Sequence, residues 1–414
     1  MERIYTKQHR KEVNMNKMTV AVIGCGNFAQ GFVPLFKAHP YVEKVYVCDI
    51  IPEKVKDYSE RFGVEIIASF EEALDNPQIN CIANFTQRHL HGDIVKRALR
   101  AGKHVYSAVP MASTVEDCQE IVDLVRKTGL IYMMGETCYY YPCAMYCREA
   151  YKEGKFGDFV YGASQYYHHI DSISYGKRPN EGGMPPLLYP THSTGMILSA
   201  VDSYVKKVVC FGYVDKTNDG RFGEGCNQWN NKFSNQYVLM ELANGGTARV
   251  TEGRTFGWMK PSSYISAVYG TEGGYEFSNA QHILVQKDWK PDEKEKVKLT
   301  DVSDYVNTDQ MVENKNDPDF KNKVANAEWQ WDGVAEIQKK EMERLPASFE
   351  NEPNGHMATH KLLIDDFCKA VYELKQPTLN ACVAARYTIP GLVAIESAKQ
   401  GGMPMDVPDC GETI

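Results

Sequence analysis

The segment from Thr19 to Ala38 constrains the fold more than any other part of the chain. It begins with an apolar run at residues 19–23, continues directly into Gly24-Cys25-Gly26-Asn27-Phe28-Ala29, and ends in a helical pattern that reaches about Ala38. A short apolar run of this kind predicts a buried strand. A strand that leads through a tight glycine turn into a helix is typical of a parallel α/β sheet.

Further strand signals alternate with helical ones as far as Gly135. The predicted strands cover residues 44–48, 64–67, 81–83, 104–107 and 130–134. Gly102 and Gly129 stand where the intervening helices should end, and Ser113 with Glu116 forms a capping box before another helix. Strands separated by helices predict a doubly wound parallel sheet.

The pattern changes after Gly135. A helix is predicted from near Pro142, followed by strands at residues 159–168, 205–213, 237–242, 247–251, 264–269 and 282–286, with a hairpin signal at Asn244-Gly245. Residues 290–354 are polar and read as an insertion with a helix at 334–345, and a last helix is predicted at 361–375. These features predict an α+β domain with a large, open, mainly antiparallel sheet.

The glycine loop and the next strand end predict a dinucleotide site. Gly24 permits the tight turn, Gly26 lets the backbone approach a pyrophosphate, and Ala29 keeps the helix close to the strand. Asp49 follows the second glycine by 23 residues and ends a strand, where a carboxylate can accept both ribose hydroxyls. A nucleotide-free turn of the same shape is the structural alternative.

The residues after Asp49 favour NAD over NADP. Ile50 and Ile51 follow it, so no adjacent arginine is present for a 2′-phosphate, which the carboxylate would also repel. Lys54 is the residue that could accommodate such a phosphate. The sequence therefore predicts an N-terminal Rossmann domain at residues 18–136 and a second domain at 137–414, with residues 1–17 as a mobile tail.

The composition of the chain limits the classes of molecule that it is expected to bind. With 46 Lys and Arg against 54 Asp and Glu, the net charge is −8, so no overall positive field attracts nucleic acid or an anionic membrane. No apolar run reaches the length of a membrane span, and the N-terminus lacks a signal peptide pattern, so we expect a cytoplasmic protein. The twelve cysteines read as reduced core residues without a metal-type pair.

Several motifs together resemble the glucose–fructose oxidoreductase, inositol dehydrogenase and rhizopine catabolism (Gfo/Idh/MocA) superfamily. They are the glycine loop, Thr86-Gln87-Arg88-His89-Leu90-His91, the turn at residues 101–105 and the segment at 153–157. The resemblance implies that the cofactor NAD contacts Gly24, Gly26, Asn27, Phe28, Asp49, Thr86, His91 and Glu136. It also implies a nicotinamide facing an open second sheet, a sugar substrate and a homo-oligomer, either a dimer or a tetramer.

The chain departs from most members of this superfamily at one motif. Where they carry Glu-Lys-Pro, this chain reads Ala108-Val109-Pro110, so the lysine near the reacting hydroxyl is absent. The NAD-dependent α-N-acetylgalactosaminidase branch also has a valine there. That branch is similar at positions Glu136, Tyr140, Tyr166, His168, Tyr189, His192, Gly355 and His356. Two positions differ: this chain has Ser262 where the branch has a tyrosine, and His360 where the branch has an acidic residue.

The chemistry requires a group that accepts a proton from a substrate hydroxyl at near-neutral pH. His192 is the predicted base, and Tyr166 and Tyr140 are predicted to relay or donate a proton. Tyr189, His168, His356 and Glu136 are predicted to bind substrate. Hydrogen-bonded structural roles are the alternative for His168 and His192. A metal held by His356 and His360 with His168 or Asp171 is conceivable, but no third ligand is fixed by spacing, so no metal is predicted.

Three functions remain open from the sequence. The first is an NAD-dependent oxidoreductase acting on a secondary hydroxyl of a sugar or glycoside. The second, implied by the resemblance, is a glycosidase that oxidises the sugar, eliminates the glycosidic group, adds water and returns the hydride. The third is a regulator that senses dinucleotide or sugar without chemistry, which would need no base.

Overall fold

The structure is a computed structural model that describes residues 17–170, 182–256, 262–278, 280–288, 297–325 and 333–411. Of the predicted tail, residues 1–16 lie outside the described residues, as does Asp171 of the conceivable metal site.

Within the described residues the first sheet has six parallel strands in the order β3-β2-β1-β4-β5-β6. The strands are β1 (Met18–Ile23), β2 (Val42–Cys48), β3 (Glu65–Ile66), β4 (Cys81–Asn84), β5 (His104–Ser107) and β6 (Tyr132–Met134). This order reverses direction between β1 and β4, which creates a crevice at the carboxyl ends of the strands. The predicted doubly wound sheet is confirmed.

The helices between these strands begin and end at local signals. They are α1 (Val33–Ala38), α2 (Pro52–Phe62), α3 (Phe70–Asp75), α4 (His91–Arg100) and α5 (Val115–Thr128). The predicted capping box at Ser113 and Glu116 is wrong by one position: Thr114 is the N-cap of α5, and its hydroxyl accepts the backbone N–H of Asp117. Gly129 ends α5 in the left-handed conformation, as predicted.

The helix after the glycine loop begins later than expected. A 3₁₀ turn at Ala29–Gly31 follows the loop, and α1 starts at Val33 with Pro34 in its first turn. Proline fits the first turn of a helix because the N–H it lacks has no partner there, and its fixed φ suits that position.

The second sheet has nine strands among the described residues, in the order β14-β13-β12-β11-β7-β10-β9-β8-β15. They are β7 (Phe159–Tyr167), β8 (Val205–Val214), β9 (Phe233–Leu242), β10 (Thr247–Gly253), β11 (Ser263–Gly270), β12 (Gly273–Ser278), β13 (Gln281–Lys287), β14 (Val297–Asp301) and β15 (Met405–Asp406). Here β7 and β10 pair in parallel and the other described pairs are antiparallel, which confirms the predicted architecture. Strands β12, β14 and β15 were not predicted.

Nine helices occur among the described residues of this part, and some of them pack on the sheet. They are α6 (Pro142–Lys152), α7 (Thr191–Val201), α8 (Ser303–Val306), α9 (Asp309–Glu313), α10 (Phe320–Ala325), α11 (Lys339–Met342), α12 (Gly355–Ala358, with left-handed backbone at its last three residues), α13 (His360–Glu373) and α14 (Ala381–Lys399). The helix predicted at 334–345 is instead a 3₁₀ turn followed by α11. Helix α7 packs on β7, β10 and β11.

The opposite face of the second sheet remains open. Its outward side chains include Phe211 on β8 and Leu239 on β9, which are 60% and 58% exposed. Alternation along β9 buries Val238 and Met240 on the other face, against the helices. No helix among the described residues has the length and hydropathy needed to cross a membrane.

Candidate active site

Predicted site residues follow directly after the strands of the first sheet. Gly24 follows β1, Asp49 follows β2, Thr86 lies two residues beyond β4, and Glu136 lies two residues beyond β6. Parallel strands place these positions along one edge, where open α/β sheets bind their ligands. The first half of the predicted site is therefore assembled at this edge.

The two glycines of the loop have different surroundings. Gly24 has φ +98°, and a Cβ there would lie 2.7 Å from the Phe85 carbonyl oxygen, so the turn requires glycine. A Cβ at Gly26 would meet no atom within 4 Å among the described residues. The backbone at Gly26 therefore faces open space, as a loop that binds a pyrophosphate requires.

Asp49 is fixed at the end of β2 by the glycine loop itself. Its Oδ2 accepts the Cys25 backbone N–H at 2.7 Å, and its Oδ1 accepts the Ile51 N–H at 3.0 Å. Each carboxylate oxygen has a second lone pair, so the side chain can still accept hydroxyl hydrogens from a ribose. These residues fit the adenosine end of a dinucleotide. Lys54 is exposed in the first turn of α2.

Asn27 and Phe28 lie between Gly26 and the 3₁₀ turn, and Phe28 contacts the second domain. Its ring meets the His356 ring edge-on with centroids 5.4 Å apart. His360 Nε2 and His356 Nδ1 are 2.9 Å apart, and burial lowers the pKa of His360 well below its usual value. The structure thus places His356, predicted to bind substrate, against the glycine loop.

His91 joins two loops at the strand ends. Its Nδ1 lies 2.7 Å from the Pro110 carbonyl oxygen and its Nε2 3.2 Å from that of Thr86. It is the first residue of α4 and is buried. Thr86 Oγ1 donates to Asn84 Oδ1 at 2.8 Å. His91 therefore links the loop of Thr86 to that of Pro110.

The central feature is a hydrogen-bonded chain of three buried side chains. Glu136 Oε1 lies 2.6 Å from His192 Nδ1, and the Tyr189 hydroxyl lies 2.8 Å from His192 Nε2. Because a carboxylate only accepts, Nδ1 carries the hydrogen in neutral His192, and Nε2 accepts from Tyr189. The tautomer with its lone pair on Nε2 is the one that a general base needs.

The position of His192 follows from the fold. It is the second residue of α7, a helix with every residue buried, and its first turn packs toward the end of β6. Glu136 also accepts the Cys138 N–H at 2.9 Å. Burial raises the pKa of Glu136, but His192 and the hydrogen bonds that the carboxylate accepts together lower it, and the net result is below the usual value. Glu136 is therefore ionised at neutral pH.

Aromatic side chains surround the His192 ring. Tyr166, near the end of β7, has its ring centroid 5.1 Å from that of His192. The His168 ring meets Tyr166 edge-on at 5.8 Å, and the Arg88 guanidinium carbon lies 4.2 Å from the Tyr189 ring centroid. The structure therefore brings His192, Tyr166, Tyr189, His168 and Glu136 together.

Tyr140 has a different environment. Its hydroxyl donates to Asp366 Oδ2 on α13, and Arg344 Nη2 donates to the same hydroxyl at 3.2 Å. Burial raises the pKa of Tyr140 well above its usual value. Burial also raises the pKa of Asp366, although Arg344 opposes the increase. Tyr140 thus belongs to a charged cluster between α13 and the 3₁₀ turn that carries it.

One group with metal-ligand spacing occurs among the described residues. It consists of Glu136, Cys138 and His192, with potential ligand atoms within 4.8 Å of one another. Burial raises the pKa of the Cys138 thiol well above its usual value, and a protonated thiol is a poor metal ligand. His168, His356 and His360 do not form such a group in the part of the chain described.

Sequence reasoning missed four buried polar residues near the site. Arg254 Nη2 donates to Glu252 Oε2 at 3.1 Å, and the Ser193 hydroxyl donates to Glu252 Oε1. Gln236 Oε1 accepts the Leu187 N–H at 3.0 Å. The sequence held one signal, because Glu252 and Arg254 interrupt the alternation at the end of an otherwise regular strand.

Comparison with known proteins agrees with this geometry. Residues 18–136 match the Gfo/Idh/MocA family model, described as an oxidoreductase family with an NAD-binding Rossmann fold. A glycosyl hydrolase family 109 protein of Saccharopolyspora erythraea is 22% identical over 94% of this chain and 82% of its own length. A dTDP-3,4-didehydro-2,6-dideoxy-alpha-D-glucose 3-reductase of Actinomadura kijaniata is 25% identical over 47% of this chain and 60% of its own length.

Among solved structures, a levoglucosan dehydrogenase in complex with NADH and levoglucosan has the same fold. The TM-score is 0.69 at 18% sequence identity, covering 94% of this chain and 99% of that one. The predicted resemblance is confirmed at residues 18–136, which match the model of the Gfo/Idh/MocA oxidoreductase family with its NAD-binding Rossmann fold.

Proposed function

We propose that this protein is an NAD-dependent oxidoreductase acting on a secondary hydroxyl of a sugar or glycoside. The observation that carries the proposal is the hydrogen-bonded series Glu136–His192–Tyr189, in which Glu136 follows the last strand of the first sheet. A base oriented by a carboxylate at the edge that also carries the glycine loop has the parts that carbinol oxidation requires.

The residues at the loop fit a dinucleotide. Asp49 would accept the adenosine ribose hydroxyls, and the open space at Gly26 would take the pyrophosphate. Two isoleucines follow Asp49 and its carboxylate would repel a 2′-phosphate, so NAD is favoured over NADP. When bound, the nicotinamide supplies the hydride acceptor.

The protein's own residues would move the proton. In the neutral imidazole the Nδ1–H is held by Glu136, so Nε2 is the free acceptor once the Tyr189 hydroxyl turns to the substrate. The proton then passes from the substrate hydroxyl to Nε2, directly or through Tyr189. Glu136, ionised and buried, would stabilise the imidazolium that forms. Tyr166 and His168 would line the sugar site beside it.

The proposal is tested with the purified protein, NAD, NADP and a sugar panel that includes levoglucosan. We expect NAD binding by calorimetry, weaker binding of NADP, and NADH absorbance that increases with a sugar substrate. His192→Gln should abolish turnover and leave NAD affinity within about twofold, since general bases contribute about 10²- to 10⁴-fold in rate. Absence of NAD binding by the wild type would contradict the proposal.

A second function is favoured by the long match to a glycosyl hydrolase family 109 protein. In that case His192 and Tyr166 would serve oxidation, elimination, hydration and re-reduction within one bound sugar, with no net redox change. Nitrophenyl glycosides, including the α-N-acetylgalactosaminide, distinguish the two: a glycosidase releases nitrophenol while NADH does not accumulate. Binding of NAD or sugar without any turnover would instead indicate the sensing regulator.

A further inference from the structure

A row of four buried polar side chains crosses the second sheet beneath α7. Gln236 on β9 pairs with Glu252 on β10, Glu252 with Tyr166 on β7, and Tyr166 with Ser263 on β11. Directly paired residues on neighbouring strands place their side chains on the same face of a sheet. All four are buried, and their face carries α7 and His192.

Glu252 connects this row to the first turn of α7. Its Oε1 accepts the hydroxyl of Ser193, the residue after His192. The Ser193 carbonyl in turn accepts the Ser164 hydroxyl of β7 at 2.7 Å. The turn that carries His192 is therefore hydrogen-bonded to β10 and to β7, in addition to the bond between His192 and Glu136.

Arg254 lies at the centre of the same network. It is 1% exposed, and its Nη2 donates to Glu252 Oε2 and to the Pro186 carbonyl, both at 3.1 Å. Its guanidinium carbon lies 5.0 Å from the Tyr166 ring centroid. Pro186 begins the 3₁₀ turn that ends just before Tyr189, so Arg254 contacts segments that carry Tyr189 and Tyr166.

A buried arginine is costly, because desolvation of its charge must be offset by hydrogen bonds of good geometry. The hydrogen bonds that Arg254 donates to Glu252 and to the Pro186 carbonyl supply this offset. Glu252 also connects to the turn of His192 through Ser193, and Arg254 contacts the Tyr166 ring.

We propose that Arg254, held by Glu252, is a positioning residue for the reaction. It fixes the Tyr166 ring beside the His192 ring and holds the turn before Tyr189 at the distance that the Tyr189–His192 hydrogen bond requires. The role rests on the proposed function, because it concerns proton transfer at His192. In this role Arg254 acts through Tyr166 and Tyr189 rather than on the substrate itself.

The test compares Arg254→Met, Arg254→Lys and Ser193→Ala with Tyr275→Phe as the matched control. Tyr275→Phe removes a buried hydrogen bond of 2.6 Å to His282 in the same sheet, outside the site. We expect Arg254→Met to lower kcat at least tenfold and to leave NAD affinity unchanged. Arg254→Lys should have a kcat between those of Arg254→Met and the wild type. Tyr275→Phe should leave kcat within about twofold, as expected of a site outside the reaction.

A second measurement needs no turnover. The ring ¹⁵N signals of His192, assigned by their loss in His192→Gln, should move in Arg254→Met and Ser193→Ala and stay in place in Tyr275→Phe. Unmoved His192 signals in Arg254→Met, or equal loss of kcat in Arg254→Met and Tyr275→Phe, would overturn the proposal. Failure of the proposed function would appear separately, as a wild-type protein that does not bind NAD.

Discussion

Glu136 Oε1 and His192 Nδ1 are 2.6 Å apart although 56 positions separate them in the chain. This bond joins the segment after the last strand of the first sheet to the first turn of α7, which packs on the second sheet. The orientation of the predicted base is thus set by the domain that would bind the dinucleotide. A ligand on the glycine loop and a sugar on the second sheet would meet at this bond.

The first prediction concerns that bond. Glu136→Gln keeps the side-chain volume, but its amide can present N–H to Nδ1 and so favour the wrong tautomer of His192. We expect kcat to decrease about 10²- to 10⁴-fold, the range for disturbed general bases, with little change in NAD affinity. Steady-state kinetics and calorimetry measure both. Wild-type kcat in this variant would show that the reaction does not depend on the Glu136 carboxylate.

The second prediction is a pH dependence of stability. Burial raises the pKa of Glu252 from 4.5 to about 8, although Arg254 opposes the increase. Between those values the folded protein keeps a proton that the unfolded chain releases, so the free energy of unfolding falls as pH rises from 4.5 to 8. Glu252→Gln removes this contribution. Urea denaturation from pH 5 to pH 8 should show a smaller decline in the variant, and an equal decline in both proteins would contradict the assignment.

The third prediction separates the two loop glycines. Gly26→Ala adds a methyl group into open space, so we expect the wild-type melting temperature and an NAD affinity at least tenfold weaker. Gly24→Ala would force a left-handed residue against the Phe85 carbonyl and should destabilise the fold by about 1–3 kcal/mol. Differential scanning calorimetry and NAD titration measure the two effects. If Gly26→Ala bound NAD normally, the pyrophosphate would lie elsewhere.

The fourth prediction compares two tyrosines proposed from the sequence as proton donors. Tyr166 lies beside the His192 ring, whereas the Tyr140 hydroxyl is committed to Asp366 and Arg344. Tyr166→Phe should therefore lower kcat at least tenfold. Tyr140→Phe should mainly lower stability, by about 1–3 kcal/mol, because Asp366 loses a buried hydrogen bond. The reverse ranking in kcat would restore Tyr140 as the catalytic tyrosine.

The fifth prediction concerns assembly. The homo-oligomer expected from the sequence would use the open face of the second sheet, where Phe211 and Leu239 are exposed on adjacent strands. Leu239→Glu should shift the protein to a smaller species in sedimentation velocity, because a charge on an apolar interface is costly to bury. Glu241→Lys on the same strand face is the control for altered charge. A wild type that sediments as a monomer would contradict this expectation.

The sequence predicted the parallel sheet well because its strands carry local signals at both ends. The strand at residues 19–23 was predicted from its own apolar residues and from Gly24, which follows it. The end of α5 was predicted in the same way, from Gly129 alone. Helix α14 was missed because it is buried on nearly all sides, so it shows no amphipathic period. Strand β12 was missed because it begins with Gly273 and Gly274, which weaken a strand pattern.

The candidate site was predicted only in part, because motifs are local in the sequence whereas the contacts between site residues depend on packing. Glu136, His192 and Tyr189 were found through motifs, but their mutual hydrogen bonds depend on how α7 packs against the end of β6. Glu252 and Arg254 carry no recognisable motif, and the role proposed for them rests on contacts with Ser193 and Tyr166 in other elements. Tyr140 is the opposite case: its motif suggested a catalytic role, but the sequence did not reveal the charged cluster around its hydroxyl.

The most direct test of the central claim is a crystal structure of the protein with NAD and a sugar. We expect the adenosine ribose hydroxyls within hydrogen-bonding distance of Asp49, and the reacting sugar hydroxyl about 3 Å from His192 Nε2 or the Tyr189 oxygen. A dinucleotide bound away from the glycine loop, or a sugar with no hydroxyl near His192 or Tyr189, would contradict the account.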